Sequence, residues 1–361
     1  MAVVPQRFKK IGIFTDIHFG RRSNSRVHNQ DCLDFIDWFC AQLDDSYSHI
    51  AFLGDWFESR SAINIETLHF SYQGLQKLNS VGKPVYFCVG NHDLHRRTTR
   101  EIHSVQMFQE LDNFHVIDKP VVEDGLLFSP YLFPEEYPTM VEHNKLWAWL
   151  GHFEFKGFVV TGQGHALEHG PVHTNFVGPK RILTGHFHKR QSQDNVHYVG
   201  NAFPMDFGDA GDYERGMATY YVPEDKLTFT NWSSCPKYLK TSLSKIMGQD
   251  TIKAFLPRMK VKCVIDEELG YQDAQDLRVA MIEQYHLRDF ILEEDREAKQ
   301  GLLEGDNAKV VDGLGDFGSM DDLVIQQLEM AKDDKKAKID VNLLIEIYKS
   351  AVAEVEDKEE E

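Results

Sequence analysis

The chain has 361 residues, 42% of them hydrophobic and 12% aromatic, which is enough for a large globular core with a smaller appendage. It has no apolar run long enough to span a bilayer, and Met1-Ala2-Val3-Val4-Pro5 lacks a secretory pattern. Five cysteines, an odd number with Cys32, Cys40 and Cys88 inside apolar segments, predict reduced thiols and a cytoplasmic protein. The formal net charge of −18 excludes a uniformly basic surface, but −13 of it falls on Asp289–Glu361, with 9 Lys+Arg against 22 Asp+Glu; residues 1–288 carry only −5.

Ile11-Gly12-Ile13-Phe14 reads as a buried strand and runs into Asp16-Ile17-His18. Cys32, Phe35, Ile36, Phe39, Cys40 and Leu43 follow the rhythm of an amphipathic helix. The strand Ile50-Ala51-Phe52-Leu53 leads to Gly54-Asp55. A second helix carries Ile65, Leu68, Tyr72, Leu75 and Leu78 on its apolar stripe and ends at Gly82-Lys83-Pro84. Val85-Tyr86-Phe87-Cys88-Val89 precedes Gly90-Asn91-His92-Asp93, Leu146 to Leu150 precedes Gly151-His152, and Ile182-Leu183 precedes Gly185-His186-Phe187-His188. After Phe203-Pro204 the pattern turns to strands, Met217 to Val222 and Leu227 to Trp232, which suggests a second sheet.

The first unit, 1–232, ends near Ser233-Ser234-Cys235-Pro236. Residues 233–294 read as strand, helix, strand: Met259 to Ile265, Asp273 to Tyr285 and Phe290-Ile291-Leu292. Glycines among acids mark 295–318 as a flexible linker. Within 319–361, residues 319–356 predict a helical hairpin: Ser319 with Asp322 forms a capping start, Asp333 to Lys338 a charged turn, and Asp340 caps a second helix with Val341, Leu344, Ile345, Tyr348, Val352 and Val355 on one stripe.

Each of the five fragments follows a strand, so their side chains gather on one edge of a sheet. Asp, Asn and His without Cys suit moderately hard divalent ions such as manganese, magnesium or iron. Asp55 is the candidate bridge between two ions. Asp16, His18 and His188 complete the shell of the first, and Asn91, His152 and His186 that of the second. Such a pair activates water for in-line attack on a phosphate ester, and His92, directly after Asn91, is placed to stabilise the transition state or protonate the leaving oxygen. Basic residues follow three of the fragments: Arg21, Arg22 and Arg26, then Arg96, Arg97 and Arg100, then Lys189 and Arg190. They are expected to rim the cleft and contact phosphates, the alternative being solvated loop charges. His165, His169 and His173 read as a loop rim rather than a third metal site, and the remaining histidines, His28 and His49 among them, as packing or surface residues.

In this order the fragments resemble the calcineurin-like metallophosphoesterase superfamily and, within it, the SbcD family of DNA-repair nucleases, especially the recombination endonuclease subunits of T-even-type bacteriophages. The details that carry the second likeness are Gly90-Asn91-His92-Asp93-Leu94-His95, Gly151-His152-Phe153-Glu154-Phe155-Lys156-Gly157-Phe158, and Tyr198-Val199-Gly200-Asn201 leading to Arg215-Gly216. The resemblance covers about residues 8–232. It implies a four-layer α/β/β/α sandwich, a small α/β cap that shapes access for DNA, and a manganese-dependent nuclease, with magnesium as the alternative ion. It also implies a partner, an SbcC-type coiled-coil ATPase docked on 319–356, and a homodimer pairing near Ile63 to Asn79 and Glu101 to Leu111. Both segments read as helices, with Phe70, Val105 and Phe108 either apolar positions the sheet leaves uncovered or part of the monomer core. Glu58 stands where cellular members often place a His, which puts that position's proton-transfer role in doubt here. The competing readings are a phosphoesterase of another substrate and a non-catalytic interaction subunit. Trp56-Phe57-Glu58-Ser59 after Gly54-Asp55, in place of Asp-Arg-Gly, and Asp93 in place of Glu argue against a Ser/Thr phosphatase, while filled ligand positions argue against a degenerate site.

Overall fold

The computed structural model describes residues 3–160, 164–248, 252–267 and 269–294; the expected linker at 295–318 and hairpin at 319–356 lie outside the described residues. Two six-stranded mixed sheets dominate. The first runs Lys226–Asn231, Gly216–Tyr221, Lys10–Phe14, His49–Phe52, Val85–Cys88, Phe114–Ile117. Its last four strands are parallel, and Gly216–Tyr221 runs antiparallel to both neighbours. The second runs Gln191–Gln193, Val196–Tyr198, Arg181–Thr184, Ala148–Gly151, Leu126–Ser129, Val121–Glu123, with its central four strands parallel.

Parallel strands covered on both faces need apolar side chains at every position, which is why these segments show no polar alternation. Successive side chains still point opposite ways. Ile11, Ile13, Ala51 and Leu53 of the first sheet meet Phe128, Ala148, Leu150 and Leu183 of the second in a shared core. Phe14, Phe52 and Phe87 point outward, against the helices Arg26–Gln42 and Ile65–Ser80 through Phe35, Phe39, Leu75 and Leu78. Each such side chain is fully or almost fully buried and contributes about 1.5–3 kcal/mol. Beyond the second sheet, Leu127, Trp149, Ile182 and Tyr198 pack against Tyr137, Phe153, Phe155 and Phe176. A 3-10 stretch, Pro134–Lys145, and loops supply that outer layer.

Four details depart from the sequence expectation. The strands after Phe203 extend the first sheet, because Gly216–Tyr221 pairs with Lys10–Phe14; the second sheet comes from earlier strands, of which Leu126–Ser129 and Val196–Tyr198 were not anticipated. The helix Ile65–Ser80 is capped by Asn64, which accepts from the Glu66 and Thr67 amides, but its buried face holds Thr67, Phe70, Ser71, Gly74, Leu75 and Leu78, leaving Ile65 and Tyr72 85% and 58% exposed. Small residues make that contact: a Cβ on Gly74 would lie 2.6 Å from Ile36, and Trp56 donates its indole N–H to Ser71 at 2.7 Å. Glu101–Leu111 is not an α-helix; Thr99–His103 is a strand paired with Leu94–Arg96, followed by a 3-10 turn at Gln106–Glu110. Phe70, Val105 and Phe108 are buried in the core, so they are not an uncovered patch.

Beyond the sheets, Lys237–Ser242, Met259–Ile265 and Asp289–Glu294 form a three-stranded parallel sheet with the helix Tyr271–Tyr285 and a core of its own around Val261, Cys263 and Phe290. The buried Asp31 carboxylate of helix Arg26–Gln42 accepts from Arg258 at 2.6 Å and from Arg288, tying this sheet to the helix layer. All five cysteines are unpaired. No helix among the described residues is long and apolar enough to cross a membrane.

Candidate metal centre

The fragments sit just past the C-terminal ends of five parallel strands, so Asp16, His18, Asp55, Asn91, His92, His152, His186 and His188 come to one edge. Tight turns put them there. Asp16, His18, Asp55 and His186 have φ of 50°, 52°, 63° and 90°, in the left-handed region that costs a side-chain-bearing residue energy, and the Asp16 and Ile17 amides donate to the Gly54 and Asp55 carbonyls. Gly54, at φ 106°, lies against His152: a Cβ there would be 2.4 Å from its Nδ1.

Two groups of donor atoms result. In one, His18 Nε2 lies 3.1 Å from His188 Nε2, with Asp16 Oδ1 3.9 and 4.0 Å from those nitrogens. In the other, Asn91 Oδ1 is 2.9 Å from His152 Nε2 and 3.0 Å from His186 Nδ1, and the two nitrogens are 3.3 Å apart. Asp55 Oδ2 stands between the groups, 3.8 Å from His18 Nε2 and 3.5 Å from His152 Nε2. Adjacent donors in an octahedral shell of radius about 2.1 Å are about 3 Å apart, so the donor set fits two divalent ions with Asp55 shared. The His and Asp clusters are capable of binding two divalent ions.

The outer ring nitrogens decide which lone pair faces inward. His152 Nδ1 donates to the Leu53 carbonyl at 2.7 Å and His92 Nδ1 to the Glu58 carbonyl at 2.8 Å, leaving both Nε2 atoms free of backbone partners. His186 is reversed: Nε2 meets Glu154 Oε2 at 2.9 Å and Nδ1 turns to Asn91. Glu58 Oε2 is 2.8 Å from His18 Nδ1, an ion-pair approach off the line of a hydrogen bond. Burial opposes the Glu58 charge, but His18 and Arg21 hold the carboxyl at about 2. Burial likewise opposes the His152 cation, yet the ionised Asp55 carries it up to about 9. Glu58 therefore braces His18, at the position where members of the family this chain resembles often place a histidine.

Asp93 was expected only as the end of a fragment. Its carboxylate, fully buried, accepts four backbone N–H bonds, from Asp55, Trp56, Phe57 and Gly90 at 3.1, 3.0, 3.1 and 2.9 Å, and so locks the Asp55 turn to the Asn91 turn. The His92 amide donates to Asp55 Oδ1 at 2.8 Å. His28, read from sequence as packing, is buried and bonds the His18 carbonyl at 3.0 Å. His173 meets Asp194 at 3.0 Å, and His165, His169 and His173 enter no metal-capable cluster among the described residues.

The basic residues divide. Arg21 is held by Glu58 and Asp206, Arg26 by Glu66, and Arg100 by Glu136 and the Tyr131 carbonyl. Arg190 donates to Asn231 and the Val199 carbonyl. These four serve the fold's own contacts. Arg22, over the Tyr238 ring, and the exposed Arg96, Arg97 and Lys189 have no carboxylate partner among the described residues. Arg60 joins them: half-buried and without an ion pair among the described residues, it is pulled below its ordinary value by burial and Arg97 and back by Asp55. It follows Glu58-Ser59 alone, outside any basic cluster.

Residues 9–190 match the calcineurin-like phosphoesterase family. The chain is 30% identical over 193 residues to exonuclease subunit 1 of Enterobacteria phage T4, a match covering 50% of this chain and 56% of the relative, so it spans little more than half of that protein. It is also similar to a dimetal phosphatase from Danio rerio (10% identity, TM-score 0.39, 63% of this chain and 96% of that one) and to the nuclease MPE of Pseudomonas putida (14%, 0.31, 60% and 87%). With its metal-capable clusters on the matched segment, the chain is a metal-dependent phosphoesterase and belongs to the calcineurin-like phosphoesterase family.

Proposed function

We propose that this chain is a two-metal DNA nuclease, cutting phosphodiester bonds at DNA ends by exonucleolytic or endonucleolytic hydrolysis. The observation that carries the reading is the double donor set around Asp55 on a segment 30% identical to a phage exonuclease subunit. Asp16, His18, His188 and Asp55 would hold one ion and Asn91, His152, His186 and Asp55 the other, manganese first and magnesium second by their oxygen and imidazole donors. Two bound ions supply charge neutralisation at the phosphate and an acidified water. The residues do the rest: Asp93 fixes the Asp55 turn through its amide, Glu58 and Glu154 fix two imidazoles, and His92, with Nδ1–H held by the Glu58 carbonyl, would take a second proton from solvent on Nε2 and give it to the leaving oxygen. Arg22, Arg96, Arg97 and Lys189, with Arg60, are the cations left to meet DNA phosphates. Arg21, Arg26, Arg100 and Arg190 are not proposed as contacts, since each is already bonded.

The further assignments extend the same reading. Residues 1–232 form the nuclease domain, 233–294 a cap governing DNA access, 295–318 a linker, and 319–356 the docking site for a coiled-coil ATPase in a cytoplasmic repair complex. A homodimer would pair on the exposed side of helix Ile65–Ser80, where Leu68, Tyr72 and Met107 are exposed beside one another. The test is digestion of end-labelled single- and double-stranded DNA with manganese, beside a phosphopeptide and a cyclic nucleotide. Manganese-dependent DNA cleavage is expected; turnover of either control alone overturns the reading. A chain ending at Gly318 should keep cleavage of simple ends and lose co-purification with the ATPase.

A further inference from the structure

One donor of the second group and the partner of another come from one short segment. Past the strand Ala148–Gly151, His152 turns in, and two residues later Glu154 lies beside His186 of the neighbouring strand end. The path between them is fixed. Phe153 and Phe155 are fully buried, whereas Glu154 between them is half-buried and turns its carboxylate to His186. Three consecutive amides donate to side-chain hydroxyls: Phe153 to Thr184 at 2.8 Å, Glu154 to Tyr137 at 2.9 Å and Phe155 to Tyr198 at 3.0 Å. The carboxylate is thus delivered by a backbone with little freedom, and Oε2 stands 2.9 Å from His186 Nε2.

His186 needs such a partner more than His152 or His92 does. The outer nitrogens of those two are held by main-chain carbonyls, whereas the outer nitrogen of His186 faces the cleft wall, on a residue with φ of 90°. A neutral imidazole carries one proton, and two tautomers compete for it. With the proton on Nδ1, the ring would point a hydrogen at His152 Nε2, 3.3 Å away, and offer no lone pair to the donor group. With the proton on Nε2, held by Glu154, Nδ1 is a free donor beside Asn91 Oδ1.

We infer that Glu154 is a positioning residue that sets the tautomer of His186 and thereby the affinity of the second ion, leaving the first to a different carboxylate, Glu58. The inference rests on the two-ion reading above and assigns Glu154 a role within it. Removing a carboxylate from the outer nitrogen of a ligand histidine costs about 10–100-fold in metal affinity.

The test uses the full chain with 15N-labelled histidine. Long-range 1H–15N correlation of the metal-free protein, with His186 assigned by His186→Gln, should show Nε2–H in the wild type and a tautomer mixture in Glu154→Ala. Manganese titration should give two bound ions in the wild type. Glu154→Ala should weaken one by about 10–100-fold and spare the other, while Glu154→Gln, which keeps an acceptor oxygen, recovers most of the loss. Nδ1–H on His186 in the wild type, or two ions bound to Glu154→Ala at wild-type affinity, overturns the inference. Equal weakening of both ions with a lowered metal-free melting temperature overturns it in favour of a folding role. A wild type with the Nε2–H tautomer that binds fewer than two ions overturns the two-ion reading itself, and the inference with it.

Discussion

Replacing Asp93 by Ala removes the acceptor of four backbone N–H groups at once, those of Asp55, Trp56, Phe57 and Gly90, inside a region where Asp93 is fully buried and Asp55 2% exposed. Each buried donor left without a partner costs about 1–3 kcal/mol, so even the low end gives about 4 kcal/mol. A domain is stable by about 5–15 kcal/mol, so this one carboxylate decides whether the metal turn is formed. At about 2 °C per kcal/mol for a chain of this size, the thermal midpoint should fall by roughly 8 °C. Asp93→Asn keeps one acceptor oxygen for two of the donors and opposes the other two with an amide N–H, so about half of the loss is expected, roughly 2 kcal/mol. Urea denaturation of the chelator-treated protein, followed by tryptophan fluorescence, isolates the effect from metal binding. An Asp93→Ala protein within about 1 kcal/mol of wild type refutes the argument, because the four donors would then have found other partners.

Asp55→Asn should abolish hydrolysis and release at least one ion by elemental analysis, whereas His92→Ala should keep both ions and slow turnover by about 10²–10⁴-fold; full metal content in the first or normal turnover in the second contradicts the assigned roles. Arg60→Ala should raise KM for DNA more than it lowers kcat and reduce the salt dependence of DNA binding by about one phosphate contact, which a binding series across salt concentrations measures. Burial and the neighbouring Arg7 push His49 down to about 4, below its ordinary value. Stability from the neutral ring is therefore complete above about pH 6.5 and lost as pH falls toward 4, by at most about 3 kcal/mol, and His49→Leu should flatten that part of the stability curve.

What could be read from sequence was whatever local order encodes. Parallel strands buried on both faces must be apolar throughout, so Ile50-Ala51-Phe52-Leu53 and Val85 to Val89 announce themselves, and their polar ends bring ligand-type residues to one edge. The stripe on the second helix was misplaced for the opposite reason. Thr67, Ser71 and Gly74 make its contact face by being small, while the large Ile65 and Tyr72 face outward, so counting bulky residues points to the wrong side. Glu101–Leu111 misled similarly, since a bulged hairpin and a 3-10 turn leave Val105 and Phe108 buried at a spacing that mimics a helix.

Which carboxylates brace the site and which of the named cations are free was illegible because that depends on partners far along the chain. Arg21 and Arg97 look alike in sequence, each in a basic loop after a ligand fragment. The first meets Asp206, 185 residues away, and is occupied; the second lies beside the half-buried Arg60, and neither has a carboxylate partner among the described residues. The same holds for Glu58 and Glu154, separated from their histidines by 40 and 32 residues. A cluster of like charges predicts where field is available only after its counter-charges are subtracted, and that subtraction requires the fold. Here it removes Arg21, Arg26, Arg100 and Arg190 and leaves Arg22, Arg60, Arg96, Arg97 and Lys189, so, on the proposed nuclease reading, mutating one of these five should cost DNA affinity and no internal ion pair.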